Sequence, residues 1–412
     1  MSRVALTPQL WRGTVQIPSS KSVAHRQMIC AALSGVSPSK VTLHGPASAD
    51  LFATRRCLEA LLDPVAAEAV LDCGESGSTL RFLMPVAAAL GRPTRFTGRG
   101  RLPERPVDTL LTELRRHGVR CDSEHLPLTL EGPMEGGEFA LPGNISSQFV
   151  TGILLALPLT GQEGVVRLTT PLESRDYVTL TLDAMRRFGV AVEESPDAFR
   201  VPGGQHYCAC ADMPPVEGDW SAAAFPMVAA ALGYGNPEGL LLKNLVAESA
   251  QGDRRVVELL RVFGAQVDFV GADLRVRPGE LRAVPEIDVR AIPDMVPALA
   301  VVAGLSRGTT RFVHAERLRL KESDRLEAVR RLLLSLGGRA ETTRDSLTVT
   351  GVERYHGGVV DGVNDHRIVM AAAAAACAAD GVVEILDAQA VSKSWPAFWQ
   401  AYSLCTGEEI SL

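Results

Sequence analysis

Residues able to open a helix recur along this chain at one phase. Lys21, Ser78, Ser146, Asp219, Asp294 and Asp365 follow one another at intervals of 57, 68, 73, 75 and 71 residues. A second helix start trails each of them, at Asp50, near Arg101, and at Ser174, Glu248, Lys321 and Lys393, offset by 29, 23, 28, 29, 27 and 28 residues. Four segments share a grammar of amphipathic helix, stop glycine, strand, turn and strand, and their glycines Gly118, Gly189, Gly264 and Gly337 lie 71, 75 and 73 residues apart. Such constancy marks an internal repeat. With an apolar strand before each helix the unit reads as βαβαββ, and right-handed crossovers put both helix N-termini at the carboxyl edge of the sheet. Six units in 412 residues, too many for one core, predict an α/β protein of two lobes with three units each, facing each other across a cleft. The first unit is short: Leu62 to Ser78 spans 16 residues where the others take 28 to 30, so its terminal hairpin is expected to be trimmed.

A helix N-terminus presents unpaired N–H groups and a partial positive charge, so a dozen aimed one way form an anion trap. The net charge of -6 excludes a general nucleic-acid surface, which leaves a small anionic ligand met by local cations. Eight cysteines without a CxxC pair, behind an N-terminus with no basic-then-apolar signal, predict a reducing cytoplasm. The most apolar run, Ile368 to Ala379, falls short of the roughly 18 residues that span a bilayer and predicts a buried helix. No His or Cys spacing suits a metal, so neither a metal nor a redox cofactor is expected.

The motifs at the helix starts carry the chemistry. IPSSKSVAHR supplies Lys21, Ser22 and Arg26; GESGSTLRF supplies Gly77, Ser78 and Arg81; GNISSQF supplies Ser146, Ser147 and Gln148; LKESDRLE supplies Lys321, Glu322 and Arg325. Each also has a bland reading. Asp324 precedes Glu327 by three residues, the spacing of a capping box that would leave Lys321 and Glu322 as loop charges. The serine pairs can be doubled N-caps, and the glycine-rich start does not match a nucleotide P-loop. On the functional reading, a lysine beside a glutamate with an arginine one turn on binds a phosphate and moves a proton in one place. Arg101 and Arg105 in GRGRLPERPVD, His366 and Arg367 in VNDHRIVM, and Lys393 in AVSKSW complete the basic set. Their equivalent phases in the repeat tell against idle surface charge.

The motifs IPSSKSVAHR, DCGESGSTLRF, RLPERP, GNISSQF, SRDY, VEGDWSAAA, IPDMVPALA, LKESDR, NDHR and SKSWPAFW run in order along nearly the whole chain. In that set the sequence resembles the EPSP synthase family of enolpyruvyl transferases. The resemblance implies an inverted α/β barrel of two lobes: a discontinuous C-terminal lobe of residues 1–18 plus 219–412, and an N-terminal lobe of 19–218 whose first repeat is truncated. It implies transfer of the enolpyruvyl group of phosphoenolpyruvate to the 5-hydroxyl of 3-phosphoshikimate, with release of phosphate, on the shikimate pathway to chorismate and the aromatic amino acids. No cofactor is implied. The partners are these two small molecules, not nucleic acid or membrane, and the protein is expected to be a cytoplasmic monomer.

By motif position, the resemblance assigns Lys21, Ser22, Arg26, Ser146, Ser147, Gln148, Ser174, Tyr177, Asp294 and Lys321 to 3-phosphoshikimate. It assigns Lys21, Gly77, Ser78, Arg81, Arg101, Gln148, Arg325, His366, Arg367 and Lys393 to phosphoenolpyruvate, with Gly77 bordering the pocket for the inhibitor glyphosate. Asp294 is the implied base, Glu322 the proton donor to the methylene carbon, and Lys321 the support for departing phosphate, with Lys21 lying between both substrates. Two polyanions held side by side need such a set of cations. Those cations should lower the pKa of Glu322 where a donor needs it raised, a tension that substrate anions and Asp294 would offset. The chain departs from the family pattern in carrying Pro103 where many relatives have lysine and Glu75 where some have asparagine.

Three other readings compete. The sister transferase acting on UDP-N-acetylglucosamine typically carries a reactive cysteine in the loop that here runs from Thr97 to Val107, which has none. A non-catalytic anion-binding relic would not need both Asp294 and Glu322. An RNA-end phosphate cyclase on similar repeats would want a basic face, against the acidic net charge.

Overall fold

The structure is a computed structural model and describes residues 2–410. The chain forms two compact units, the first comprising Met1–Ser20, His44–Ser48 and Glu217–Leu412, the second Lys21–Leu43 and Ala49–Val216. The short segment His44–Ser48 belongs to the first unit, a detour that neither the repeat nor the resemblance suggests.

The chain begins in the first unit with strands β1 (Arg3–Leu6) and β2 (Gly13–Gln16), then enters the second through helices α1 (Lys21–Leu33) and α2 (Ala49–Leu61). One full repeat follows as β3 (Ala69–Asp72), α3 (Gly77–Ala89), β4 (Thr94–Thr97), α4 (Asp108–Arg116), β5 (Arg120–Cys121) and β6 (Leu128–Glu131). Another runs through β7 (Gly137–Pro142), α5 (Ser147–Ala156), β8 (Gly164–Thr170), α6 (Arg175–Arg187), β9 (Glu193–Glu194) and β10 (Ala198–Val201). The sheet orders are β3-β4-β6-β5 and β7-β8-β10-β9, with the first pair of each parallel and the rest antiparallel. That is the expected βαβαββ unit. Leu128 and Leu130 of β6 face inward while its alternate residues are less buried, as a sheet with one covered face requires.

The first repeat is more reduced than its missing hairpin suggested. No strand forms among the described residues between α1 and β3, so α1, α2 and a 3₁₀ turn (Pro38–Lys40) are all that remain of it. A strand in that place would pair with the returning hairpin, and without it the backbone has no ladder to join.

The first unit resumes with α7 (Trp220–Leu232), β11 (Leu240–Lys243), α8 (Val256–Phe263), β12 (Gln266–Val270) and β13 (Asp273–Arg277). Here β2 pairs in parallel with β11, so the whole second unit is inserted between the first strand and first helix of this repeat. The next repeat is intact: β14 (Glu286–Asp288), α9 (Val296–Ala303), β15 (Thr309–Val313), α10 (Arg325–Ser335), β16 (Arg339–Thr342) and β17 (Leu347–Thr350). The last has β18 (Gly358–Val360), α11 (His366–Ala376), β19 (Val383–Leu386) and α12 (Phe398–Thr406), and it borrows its third strand, β1, from the start of the chain.

Small residues decide how close the helices come. Ala371 to Ala376 of α11 are fully buried, and α7, α9 and α11 pack on one another as helices apolar on every side. None of the described helices is long and apolar enough to cross a membrane. In the second unit α3 packs on α5 at Gly152, where an added Cβ would meet the Arg81 carbonyl oxygen at 2.3 Å. The four stop glycines all take positive φ, between 75° and 109°, which a side chain would resist.

Candidate active site

The N-terminal ends of α1, α3, α5 and α6 hold the polar cluster of the second unit. Lys21 pairs with Asp50 at 2.7 Å, both side chains largely buried. Arg81 donates from Nη1 to the Gln148 side-chain oxygen at 2.7 Å and from Nη2 to the Pro106 carbonyl at 3.0 Å. The Gln148 amide in turn donates to Ser78 Oγ at 2.9 Å, so one hydrogen-bonded chain links the first turns of α3 and α5. Ser146 caps α5 through the Gln148 N–H, as its bland reading held, while Ser147 is buried in the first turn. Ser174 opens α6 in the left-handed region at φ 55°, with Tyr177 one turn on.

Arg26 is deeply buried. Its Nε donates to Thr181, its Nη1 to the Ser22 carbonyl at 2.6 Å and its Nη2 to the Tyr177 carbonyl at 2.9 Å. Burial lowers its pKa to about 10, which leaves it charged at neutral pH. An Nη2 contact to Thr151 completes a brace that ties Ser22 on α1 to Tyr177 on α6.

Arg101 and Arg105 part company. Arg101 is exposed and paired with Glu104 at 3.5 Å, a surface contact of little energetic consequence. The guanidinium of Arg105 instead lies on Gly77, where an added Cβ would stand 2.6 Å from Nη1. Both arginines were visible in RLPERP, but nothing in the local sequence distinguishes the one that turns inward.

In the first unit one side chain organises the rest. Arg325, 1% exposed, donates from Nη1 to Asp294 at 2.6 Å, from Nη2 to Glu322 at 2.6 Å and from Nε to Asp365 at 2.8 Å. Asp365 also accepts from Ser323 Oγ and caps α11 through the Arg367 N–H. Arg367 reaches back to the second oxygen of Asp294 at 2.9 Å, and Lys321 Nζ stands 3.5 Å from the first. His366 is buried beside Asp365, and Lys393, 8% exposed, donates to the Asn364 carbonyl at 2.6 Å. The loop that turns Asp365 inward is strained: Val363 and Asn364 have φ of 44° and 51°, the former rare for a β-branched residue.

These contacts set the protonation states. Burial would raise the Asp294 carboxyl, but the charges of Arg367, Lys321 and Arg325 outweigh it and hold the group well below the carboxylate range. Burial pulls Lys321 down to about 8 despite Asp294 beside it. Asp253, buried and hydrogen-bonded by Ser221, is pushed up to about 7 by burial and then by the charge of Asp294. The reading of the motifs missed Asp253 and the bridging role of Asp365, since QGD and NDH look like ordinary helix-opening residues.

Four second-helix starts fall later than expected, with α4 beginning at Asp108 and not near Arg101, and α10 at Arg325 and not Lys321. Lys393 ends a 3₁₀ turn and α12 begins at Phe398, while Glu248 precedes α8 by a loop and a 3₁₀ turn. Asp324 does cap α10, its Oδ1 accepting the Glu327 N–H at 3.2 Å, so the capping box and the charged cluster coexist.

The family model of EPSP synthase (3-phosphoshikimate 1-carboxyvinyltransferase) matches residues 49–402. A protein of Clostridium kluyveri named 3-phosphoshikimate 1-carboxyvinyltransferase is 38% identical, with 99% of this chain and 98% of that one covered. One of the same name from Clostridium novyi is 36% identical over 99% and 98%. Among solved structures, an EPSP synthase of Acinetobacter baumannii superposes with a TM-score of 0.76 at 24% identity, covering 98% of each chain. The enolpyruvyl transferase NikO of Streptomyces tendae gives 0.70 at 14% identity, covering 98% of this chain and 97% of its own. At those identities the structures speak to the fold alone.

Proposed function

The chain belongs to the EPSP synthase (3-phosphoshikimate 1-carboxyvinyltransferase) family, and we propose that it moves the enolpyruvyl group of phosphoenolpyruvate onto the 5-hydroxyl of 3-phosphoshikimate with release of phosphate. The observation that carries the reading is the buried Arg325, which holds Asp294 and Glu322 at 2.6 Å each. An acid and a base fixed by one guanidinium are set for a reaction that takes a proton from a hydroxyl and gives one to a carbon. Asp294, kept ionised by Arg367, Lys321 and Arg325, is the base on the 5-hydroxyl. Glu322 protonates the methylene carbon as C2 of phosphoenolpyruvate accepts the sugar oxygen. In the second step the methyl carbon loses a proton and the C2–O bond to phosphate breaks, so the sum needs no redox partner. Lys321 and Arg367 stabilise the charge on the departing phosphate.

The second unit supplies the cradle. Lys21, Ser22, Ser146, Ser147, Ser174 and Tyr177 hold 3-phosphoshikimate, with Arg26 bracing Ser22 and Tyr177 from behind. Ser78, Arg81 and Gln148 meet phosphoenolpyruvate, and Arg105 against Gly77 takes the part that motif position gave to Arg101. We read the protein as a monomer of the reducing cytoplasm, with five cysteines buried as thiols; a light-scattering mass of 44.0 kDa is expected, and a dimer mass would correct the first point. Phosphate should be released only when both substrates are present. Release from phosphoenolpyruvate alone, or dependence on UDP-N-acetylglucosamine, would overturn the assignment.

A further inference from the structure

A chain of buried hydrogen bonds, separate from the side chains that would touch substrate, joins three helices of the second unit. His25, one turn along α1 from Lys21 and 1% exposed, has its Nδ1 2.7 Å from Thr54 Oγ1 on α2. Thr54 Oγ1 lies 2.6 Å from Thr79 Oγ1 on α3, and Thr79 Oγ1 lies 2.7 Å from Ser76 Oγ. Ser76 is the N-cap of α3, its Oγ accepting the Thr79 N–H at 3.2 Å. All four side chains are essentially inaccessible to solvent, so each bond forms in low dielectric, where losing one leaves a buried polar group uncompensated.

The imidazole fixes the direction of the chain. Nε2 has no hydrogen-bond partner among the described residues, so a proton there would be an orphaned buried donor. With the proton on Nδ1, His25 donates to Thr54, Thr54 to Thr79 and Thr79 to Ser76, so each threonine hydroxyl accepts one bond of the chain and donates the next, and Ser76 Oγ accepts both the hydroxyl and the N–H of Thr79. Burial, with Lys21 and Arg26 nearby, holds the imidazole pKa well below its ordinary value, so the ring stays neutral and the tautomer persists. Edge-on contact with Phe82, at 6.3 Å between centroids, keeps the ring in plane.

We propose that His25 is a positioning residue for phosphoenolpyruvate: through Thr54 and Thr79 it locks the Ser76 cap, and with it the first turn of α3 that presents Gly77, Ser78 and Arg81, to the α1 turn that presents Lys21. The inference rests on the reaction assigned above for its kinetic readout, though not for its structural one. A neutral wire does this without adding a charge beside Lys21 and Arg26, which a protonated histidine would. Thr54→Val, nearly isosteric, cuts the wire in the middle, and His25→Phe removes its origin while keeping an aromatic ring against Phe82.

Two measurements test it. In the transfer assay both variants should raise KM for phosphoenolpyruvate about tenfold, leave KM for 3-phosphoshikimate within about twofold, and lower kcat less than KM rises. The double variant should be no worse than the poorer single one, since both break the same chain, and His25→Gln should recover part of the loss. Independently of any activity, amide exchange in the segment from Ser76 to Arg81 should quicken at least about fivefold in both variants relative to the rest of the unit. Unchanged exchange in that segment in Thr54→Val overturns the proposal, as does an equal rise in both KM values. A wild-type chain that releases no phosphate would sink the reaction and leave the exchange result to decide the positioning role.

Discussion

In the second unit Arg26 is held by hydroxyls and main-chain carbonyls, Arg81 donates to a side-chain amide oxygen and a main-chain carbonyl, and Lys21 pairs with Asp50. In the first unit Arg325 alone bonds three carboxylates, with Arg367 and Lys321 sharing one of them. The contrast separates two uses of a buried cation. A guanidinium held by dipoles keeps its charge uncancelled and attracts an anion; one ringed by carboxylates has little net charge to offer and instead sets their position and protonation. On this account the second unit chiefly binds, while the first performs the proton transfers and steadies the departing phosphate.

The sharpest way to break the contrast is to remove one cation of each kind. Arg325→Ala leaves Asp294, Glu322 and Asp365 without their common partner and should cost about 3–5 kcal/mol in urea unfolding. Arg26→Ala leaves only neutral acceptors and should cost about 1–3 kcal/mol. Equal losses would mean that the two arginines do the same work. The pH dependence sharpens this. A carboxyl whose folded pKa is depressed, as for Asp294, contributes stability that is present above the ordinary carboxylate pKa and lost as pH falls through the folded one. That acid-side loss should shrink in part in Arg325→Ala, because one of the three cations that depress the pKa is gone while Arg367 and Lys321 remain.

Next in size is turnover. Asp294→Asn should lower kcat at least about a hundredfold, whereas Arg81→Ala and Arg105→Ala should act mainly through KM for phosphoenolpyruvate. A reversal of the two patterns in steady-state kinetics would exchange the roles of the units. Gly77→Ala should be smaller. The new methyl must displace the Arg105 guanidinium, the movable end of a long side chain, so the fold survives while KM for phosphoenolpyruvate rises about tenfold. Glyphosate, the longer molecule, should lose more than the substrate does. Equal losses would place Gly77 elsewhere in the pocket.

The smallest effect expected is an alkaline limb. Lys321, lowered to about 8 chiefly by burial, gives up its proton as pH rises through that value, so kcat/KM should fall on the alkaline side by about tenfold per unit. Lys321→Arg keeps its charge and should remove that limb. A limb that survives unchanged in Lys321→Arg belongs to another group.

Much of this was legible beforehand because repetition leaves marks that survive sequence change. The stop glycines at Gly118, Gly189, Gly264 and Gly337 need positive φ, and the caps at Ser146, Asp219, Asp324 and Asp365 have a required chemistry and phase. What was not legible depends on distant partners. The turn of Arg105 inward and Arg101 outward, and the meeting of Asp365 with Arg325, 40 residues apart, are set by tertiary packing. The elevated pKa of Asp253 arises from burial, which QGD does not announce. The strandless first repeat was half visible: the deletion could be counted, but its effect on the remaining ladder could not.

The division of labour between the units stands or falls most directly on Glu322→Gln, assayed for phosphate release with both substrates saturating. Glutamine keeps the size and a polar contact to Arg325 but has no proton to give the methylene carbon. A rate at or below about 1% of wild type is predicted. A wild-type rate under saturation would mean that Glu322 only helps to hold substrate, and would contradict the account.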